Sequence, residues 1–562
     1  MRRIAVAGML VALLCAVAGG VFFALDRRVG LAEKDPDPVA PVRTFMQAWV
    51  QGDYRDMYRE VAPVVRAATP YKRFVAGYRH SASTATISSV RVSGQVVHGT
   101  DGTIDVPVVA RTRVFGAVRG TLHVRVIRIE DRYRIGWDRS LTFPGLAEGE
   151  RLSRVARPPH RRGAILSSDR EVLARGPADA REYPEGSAFA IITGHCDPPQ
   201  PGAEAGGRRA QGWNPATPFG QSGLEASLDD VLGGSPSIRL VAEPSGGPRR
   251  ILASRPGTTP RDVVTTLSVP VQEAATAVLG DAYGGVVVLD SRTGAVRAGA
   301  GAGMDLLQPP GSTFKIVTAA AALTAGKVDL GTYYEPAHFV QLGGFRLRNF
   351  HGELCGGTLV EAFAHSCNSV FAPVAIETGA EKLTEMAAGF GFNHRPSVAY
   401  PTPGSVIPRP AVLNSDLEVG VAGIGQGGVT ATTLQMASVA QVIASHGIMH
   451  PPFLARRPRS GSDRRNPRRV ISRGVAEDIG QMMQAVVSYG TGTGATGGLA
   501  SIAGKTGTAE VGPGKADAWF VGYSPATAPR YAVAVLVVRG GVGGAVAAPM
   551  ARDALNAALA NP

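Results

Sequence analysis

A serine three residues ahead of a lysine can do chemistry that neither residue does alone. Ser312 and Lys315 have this spacing in "QPPGSTFKIVTAAAAL". On a helix, positions three apart share a face, so hydroxyl and amine meet within hydrogen-bonding reach. A hydroxyl is a weak nucleophile until a base takes its proton. Lysine can be that base, because burial favours its neutral form, whereas a guanidinium stays charged. The residue choice is informative: of 58 lysines and arginines in the chain, only seven are lysine. Phe314, Ile316 and Val317 supply apolar surroundings. A helix N-terminus also favours anionic charge near Ser312.

Two further short patterns lie downstream. "AHSCNSVFAPVA" holds Ser366-Cys367-Asn368, and "IAGKTGTAEV" holds Lys505-Thr506-Gly507-Thr508. Taken singly, each has an ordinary reading: Ser366 as a helix cap, Asn368 as a turn residue, Lys505-Thr506-Gly507 as a hairpin turn. Strict strand alternation puts Lys505 and Thr506 on opposite faces, so periodicity alone cannot bring both to one site. The weight lies in the set and its order, S-x-x-K, then S-x-N, then K-T-G.

The elements that must position these residues are partly legible. Pro309, Pro310 and Gly311 resist backward extension of a helix, Ser312 can begin one, and Gly326 suits its end. Upstream, Gly285–Leu289 and Ala295–Ala298 read as a hairpin around "DSRTG". "ADAWFVGYSP" and "RYAVAVLVVRG" alternate as late strands, and Pro549–Leu559 reads as a closing helix. Residues 267–562 are therefore expected to form an α/β domain. Nearer the start, Val42, Phe45, Met46, Trp49 and Val50 recur at helical spacing, Gly52 and Asp53 break the run, and a second short helix comes next. Three alternating stretches after it read as antiparallel strands, giving an α+β module over 40–148. Residues 150–265 are rich in Pro and Gly, with scattered strands and one helix-like piece, "SGLEASLDDVLGG". Residues 1–28 hold the uncharged run Ile4–Leu25, 22 residues, enough to cross a bilayer as a helix. A signal peptide cleaved after Ala16-Val17-Ala18 is the rival reading, and with either one the rest of the chain is exported.

The formal charge of +13 favours anionic surroundings. No nucleic-acid-binding motif accompanies it, so no nucleic-acid partner is expected. Residues 456–469 carry seven arginines against Asp463 and read as a solvated loop. Beyond Cys15, in the apolar run, the three cysteines Cys196, Cys355 and Cys367 define no disulfide framework. A Cys196–Cys355 bridge lacks support, and Cys367 is expected to pack as a small apolar residue. His351, Cys355, His365 and Cys367 fit no zinc spacing, and neither metal nor cofactor is expected.

On these motifs, residues 267–555 resemble the transpeptidase domain of class B penicillin-binding proteins. "GIGQGGVTATTLQMASVAQVIASHG" is similar to that family's helix-bearing stretch before the third motif, and "DAWFVGYSP" to the strand after it. "RRGAILSSDREVLA" and "FGQSGLEASLDDVLGG" resemble its linker domain. The N-terminal module resembles the NTF2-like domain that precedes some membrane-anchored members. The resemblance implies a multidomain α+β protein: transmembrane helix, NTF2-like cone, extended β-rich linker domain, and α/β serine transpeptidase domain of the penicillin-binding and β-lactamase type. It implies a D,D-transpeptidase that cross-links peptidoglycan stem peptides through an acyl-enzyme on Ser312 and is acylated by β-lactams, with carboxypeptidation as a side activity. Lys315 would be the base. Ser366 and Asn368 would relay a proton and hold the substrate amide. Lys505 would supply positive potential, and Thr506 or Thr508 would hold the substrate carboxylate. Gly507 would clear space for substrate along the strand. A glycan polymerase is the implied partner, and a single-pass position in the cell membrane, with the bulk of the chain outside the cytoplasm, the implied location. A β-lactam sensor and a non-catalytic wall-synthesis scaffold are the alternatives.

Overall fold

A computed structural model describes residues 36–200, 203–455, 466–512 and 514–562. The expected membrane anchor at 4–25 and most of the arginine-rich segment lie outside the described residues. Among the described residues, no helix is long and apolar enough to cross a membrane. The chain forms two compact units. One holds the described residues up to Leu152 with Ala242–Pro248; the other holds Ser153–Val241 with Arg249–Pro562.

In the first unit, helix Ala40–Gln51 buries Val42, Phe45, Met46 and Trp49 and ends at Gly52 in the left-handed conformation. Asp53 then caps helix Tyr54–Glu60 by accepting from the backbone N–H groups of Arg55 and Asp56. Two more helices, Pro63–Ala68 and Tyr71–Ala85, were not expected from the sequence. The second buries Phe74, Val75, Tyr78, Ser81 and Ala85. Its polar tail, His80 to Thr84, hides the apolar period. An antiparallel sheet runs in the order Ile87–Val92, Thr103–Thr112, Gly116–Ile129, Arg132–Ile135. Ile104, Val106, Val108, Leu122 and Val124 pack from it onto the helices. Trp137 donates to the Tyr78 hydroxyl at 3.1 Å and lies 5.0 Å from the Phe74 ring. Aromatic side chains thus fill much of the core between the helices and the sheet.

In the second unit, five antiparallel strands are ordered Val296–Gly301, Gly284–Asp290, Tyr531–Val537, Asp517–Ser524, Ala503–Ala509. The strand bearing Lys505 is therefore an edge. Neighbouring residues on each strand serve different cores. Val286, Val288, Phe520, Val533 and Val535 pack with helices Val269–Leu279 and Ala547–Ala560. Val287, Leu289, Trp519, Val521 and Ala534 pack with Lys315–Thr324 and Thr433–Ala444. The expected alternation of Asp517–Ser524 and Tyr531–Val537 does not mark a solvent face: helices cover both faces, and every residue of both strands is buried. Helix Thr433–Ala444 is buried along its whole length.

The proline- and glycine-rich segment is held by a buried ionic cluster. Glu225, fully buried, accepts from Arg162 Nε at 2.7 Å and Arg181 Nε at 2.6 Å. Arg162 also reaches Asp229 at 2.7 Å. Removing the carboxylate leaves two guanidiniums buried without it. Glu225→Ala is expected to destabilise this unit by about 3–5 kcal/mol, read from chemical unfolding. A loss below ~1 kcal/mol would show the cluster to be dispensable.

Candidate active site

Three segments converge on one point. The first is a 3-10 turn, Gly311–Phe314, which carries Ser312 and passes directly into helix Lys315–Thr324. The expected helix is thus present, but Ser312 lies in the tighter turn before it. Gly425 holds that turn in place: Gly311 N–H donates to its carbonyl at 3.0 Å, and a Cβ at Gly425 would lie 2.1 Å from the Gly311 carbonyl oxygen. Only glycine permits this approach.

The second segment ends helix Leu359–Ala364 and starts helix Asn368–Thr378. Ser366 sits between them with φ +62°, a left-handed conformation unusual for serine, of the kind that collects at functional sites. The third is the edge strand Ala503–Ala509. Lys505 reaches inward, while Thr506 turns to the other face, as alternation requires. Thr506 Oγ1 pairs with Thr491 Oγ1 at 2.5 Å, and Thr508 Oγ1 accepts from Gly543 N–H at 3.4 Å. Gly507 needs a different reason from the one expected. A Cβ there would meet Pro310 O at 2.9 Å and Thr313 Cγ2 and Trp519 Cβ at 3.0 Å. It lets the nucleophile turn pack on the strand, rather than clearing a path for substrate.

Lys315 is fully buried, and its Nζ is the hub. It lies 2.6 Å from the Ser366 carbonyl oxygen, 2.8 Å from Asn368 Oδ1, 3.0 Å from Ser312 Oγ and 3.2 Å from Ser366 Oγ. Asn368 is oriented from its far side, where Nδ2 donates to the Arg348 carbonyl at 3.0 Å, so Oδ1 must face the lysine. Carbonyl and Oδ1 can only accept. A neutral amine satisfies them with its two N–H bonds, and its lone pair is left for the Ser312 hydroxyl. Desolvation, then the nearby Lys505 charge, holds Lys315 well below its ordinary range. Both effects favour that neutral form.

Lys505, also fully buried, donates to Ser366 Oγ at 2.9 Å and to the Thr506 carbonyl at 3.0 Å. Ser366 Oγ therefore bridges the two amines. Burial lowers Lys505 from 10.5 to about 7. The unfolded chain then binds a proton that the folded protein does not between pH 7 and 10.5. The resulting destabilisation is full below pH 7 and vanishes as pH rises past 10.5. Lys505→Met is accordingly expected to raise Tm at neutral pH while abolishing acylation. The scale for a unit this large is about 2–4 °C per kcal/mol. An unchanged or lower Tm would contradict a desolvated Lys505.

The cysteines depart from the expectation. Cys367, expected as a free apolar residue, is bonded to Cys355. Cys196 is free, its thiol 3.3 Å from Glu225 Oε2. The disulfide takes both thiols of the His and Cys cluster and ties strand Cys355–Thr358 to the loop between Ser366 and Asn368. Ser369 adds two ties, N–H to Asn349 Oδ1 at 2.8 Å and Oγ to the Cys355 carbonyl at 3.3 Å. Closing a loop of this size stabilises by about 3 kcal/mol. Cys355→Ser is expected to lower Tm and slow acylation severalfold; wild-type acylation in the variant would show that the other ties suffice.

The structure brings Ser312, Lys315, Ser366, Asn368 and Lys505 into one hydrogen-bonded network, with Thr506 joined through its carbonyl. Thr491 and Gly425 were missed. Neither stands within a recognisable triplet, and only proximity in the fold reveals them.

Residues 284–556 match the family model for the penicillin binding protein transpeptidase domain, and 37–150 that for the NTF2-like N-terminal transpeptidase domain. The chain is 33% identical over 446 residues to the peptidoglycan D,D-transpeptidase PbpA of Mycolicibacterium smegmatis, covering 67% of this chain and 84% of that one. The D,D-transpeptidase domain of a peptidoglycan glycosyltransferase from Eggerthella lenta superposes with a TM-score of 0.59 at 30% identity, covering 71% of this chain and 98% of that one. The ceftriaxone acyl-enzyme complex of penicillin-binding protein A from M. tuberculosis superposes with a TM-score of 0.57 at 26% identity, covering 71% and 98%.

Proposed function

Because the chain belongs to the penicillin-binding protein transpeptidase family, we propose a role for each residue of the network in one reaction. The protein is a serine-type peptidoglycan D,D-transpeptidase that β-lactams acylate. Ser312 Oγ attacks the carbonyl between the two terminal D-alanines of a donor stem peptide. Lys315 Nζ takes its proton. The backbone N–H groups of Ser312 and Thr508 receive the oxyanion, each worth about 3 kcal/mol. Ser366, bridging the two lysines, passes a proton to the leaving amine. Asn368 holds the peptide amide, Lys505 supplies positive potential, and the Thr506 or Thr508 hydroxyl holds the terminal carboxylate. An amine from a neighbouring strand then takes the acyl group and closes the cross-link; water in its place gives carboxypeptidation.

The observation that carries this reading is the set of contacts at Lys315 Nζ, two obligate acceptors beside the Ser312 hydroxyl. The test supplies the purified protein with a pentapeptide donor and an amine acceptor. D-alanine release together with a cross-linked product is expected, and neither from Ser312→Ala. Cross-linking that persists in Ser312→Ala would refute the assignment. The reading extends to a membrane-anchored enzyme facing the cell wall, working beside a glycan polymerase. The uncharged run at 4–25 and the Cys355–Cys367 disulfide, a bond of oxidising compartments, support that placement.

A further inference from the structure

Asn368 Nδ2 carries two hydrogens. Among the described residues it donates to the Arg348 carbonyl alone, so the second N–H is left for substrate. Two acceptors sharing one amide nitrogen lie about 5 Å apart. A donor-peptide carbonyl that accepts from Asn368 therefore runs alongside the backbone of Arg348.

Arg348 closes a hairpin in which Phe339 pairs with Arg348, Val340 with Leu347, and Gln341 with Arg346. Val340 and Leu347 pack on the core, so Phe339, Arg346 and Arg348 share the outward face. The hairpin is firmly seated. Asn349 Nδ2 donates to the Ala337 and Glu353 carbonyls at 2.7 and 3.0 Å, and the disulfide follows at Cys355. Arg346 is occupied, stacked 4.4 Å over the Phe339 ring. The exposed Arg348 guanidinium makes no ion pair, hydrogen bond or ring contact among the described residues. A charged fork without a partner, held beside the substrate's path, matches a carboxylate in both charge and shape.

We propose that Arg348 determines donor specificity: its guanidinium pairs with a carboxylate on the stem-peptide residue preceding the D-Ala-D-Ala unit. The proposal rests on the transpeptidase reading and names the anionic peptide class that this site selects.

The test compares two donor peptides ending in D-Ala-D-Ala. They are identical except that the preceding residue bears a side-chain carboxylate in one and a carboxamide in the other. With the full-length enzyme, kcat/KM is expected to favour the carboxylate by about tenfold, as for a charge-assisted pair. In Arg348→Gln the ratio falls to about one, and in Arg348→Glu it inverts. A wild-type ratio near one, or a wild-type ratio retained in Arg348→Gln, overturns the proposal. Penicillin labelling of Ser312 in the same preparations separates the two readings. No label on the wild type sinks the transpeptidase assignment, whereas normal label with an unchanged ratio sinks the Arg348 proposal alone.

Discussion

Replacing Lys315 by arginine is expected to lower the second-order rate of penicillin acylation by about 10³-fold, with no recovery as pH is raised. Arginine keeps the positive charge and the hydrogen-bond donors, so a loss this large isolates the lone pair. The site around Nζ offers the Ser366 carbonyl and Asn368 Oδ1 as acceptors, and a guanidinium could serve both. It could not accept the Ser312 proton at any accessible pH. Acylation within tenfold of wild type would show that another group takes the proton. Ser366 would be the first candidate, since its Oγ already lies 3.2 Å from Lys315 Nζ and 2.9 Å from Lys505 Nζ.

Asn368→Asp changes one atom type and is expected to cost about 10²-fold or more at neutral pH, for the opposite reason. It places an anion 2.8 Å from Lys315 Nζ, where an amide oxygen stands in the wild type. An opposite charge at that distance favours the ammonium, reversing the downward shift that desolvation produces. The lysine would then be protonated at pH 7. The signature is the pH profile: the variant's rate should climb with pH as the ammonium gives up its proton, while Lys315→Arg stays flat. Recovery would be partial, because the aspartate also lacks the N–H that reaches the Arg348 carbonyl. A rate that does not respond to pH would mean that Asn368 acts through geometry alone and that the protonation state of Lys315 is set elsewhere.

The chemistry was more legible in the sequence than its support. The i, i+3 spacing of Ser312 and Lys315 is a local property, and it survives although the serine lies in a 3-10 turn rather than in the helix proper. The sheet was read in pieces because its strands are buried on both faces. Alternation in the late strands therefore marks no solvent face, and strand order cannot be read from such runs. Helix Tyr71–Ala85 escaped because its polar tail masks the spacing of Phe74, Tyr78 and Ala85. The Cys355–Cys367 bond could not be inferred from three cysteines with no stated pairing. Gly507 was assigned to substrate clearance because strand patterns say nothing of which element packs against which face; its neighbours prove to be the nucleophile turn and Trp519. Long-range contacts account for each of these gaps. The Lys315 amine itself is defined by a backbone carbonyl 51 positions away, a partner with no side-chain signature.

The base role depends on Lys315 being an uncharged amine in the resting protein. Seven lysines make this directly observable, because lysine-selective ¹⁵N labelling gives one side-chain signal per residue. At neutral pH, the signal that disappears in Lys315→Arg is predicted to have the chemical shift of a neutral amine and to move to that of an ammonium in Asn368→Asp. If that signal is already an ammonium in the wild-type protein, proton abstraction from Ser312 by Lys315 is ruled out.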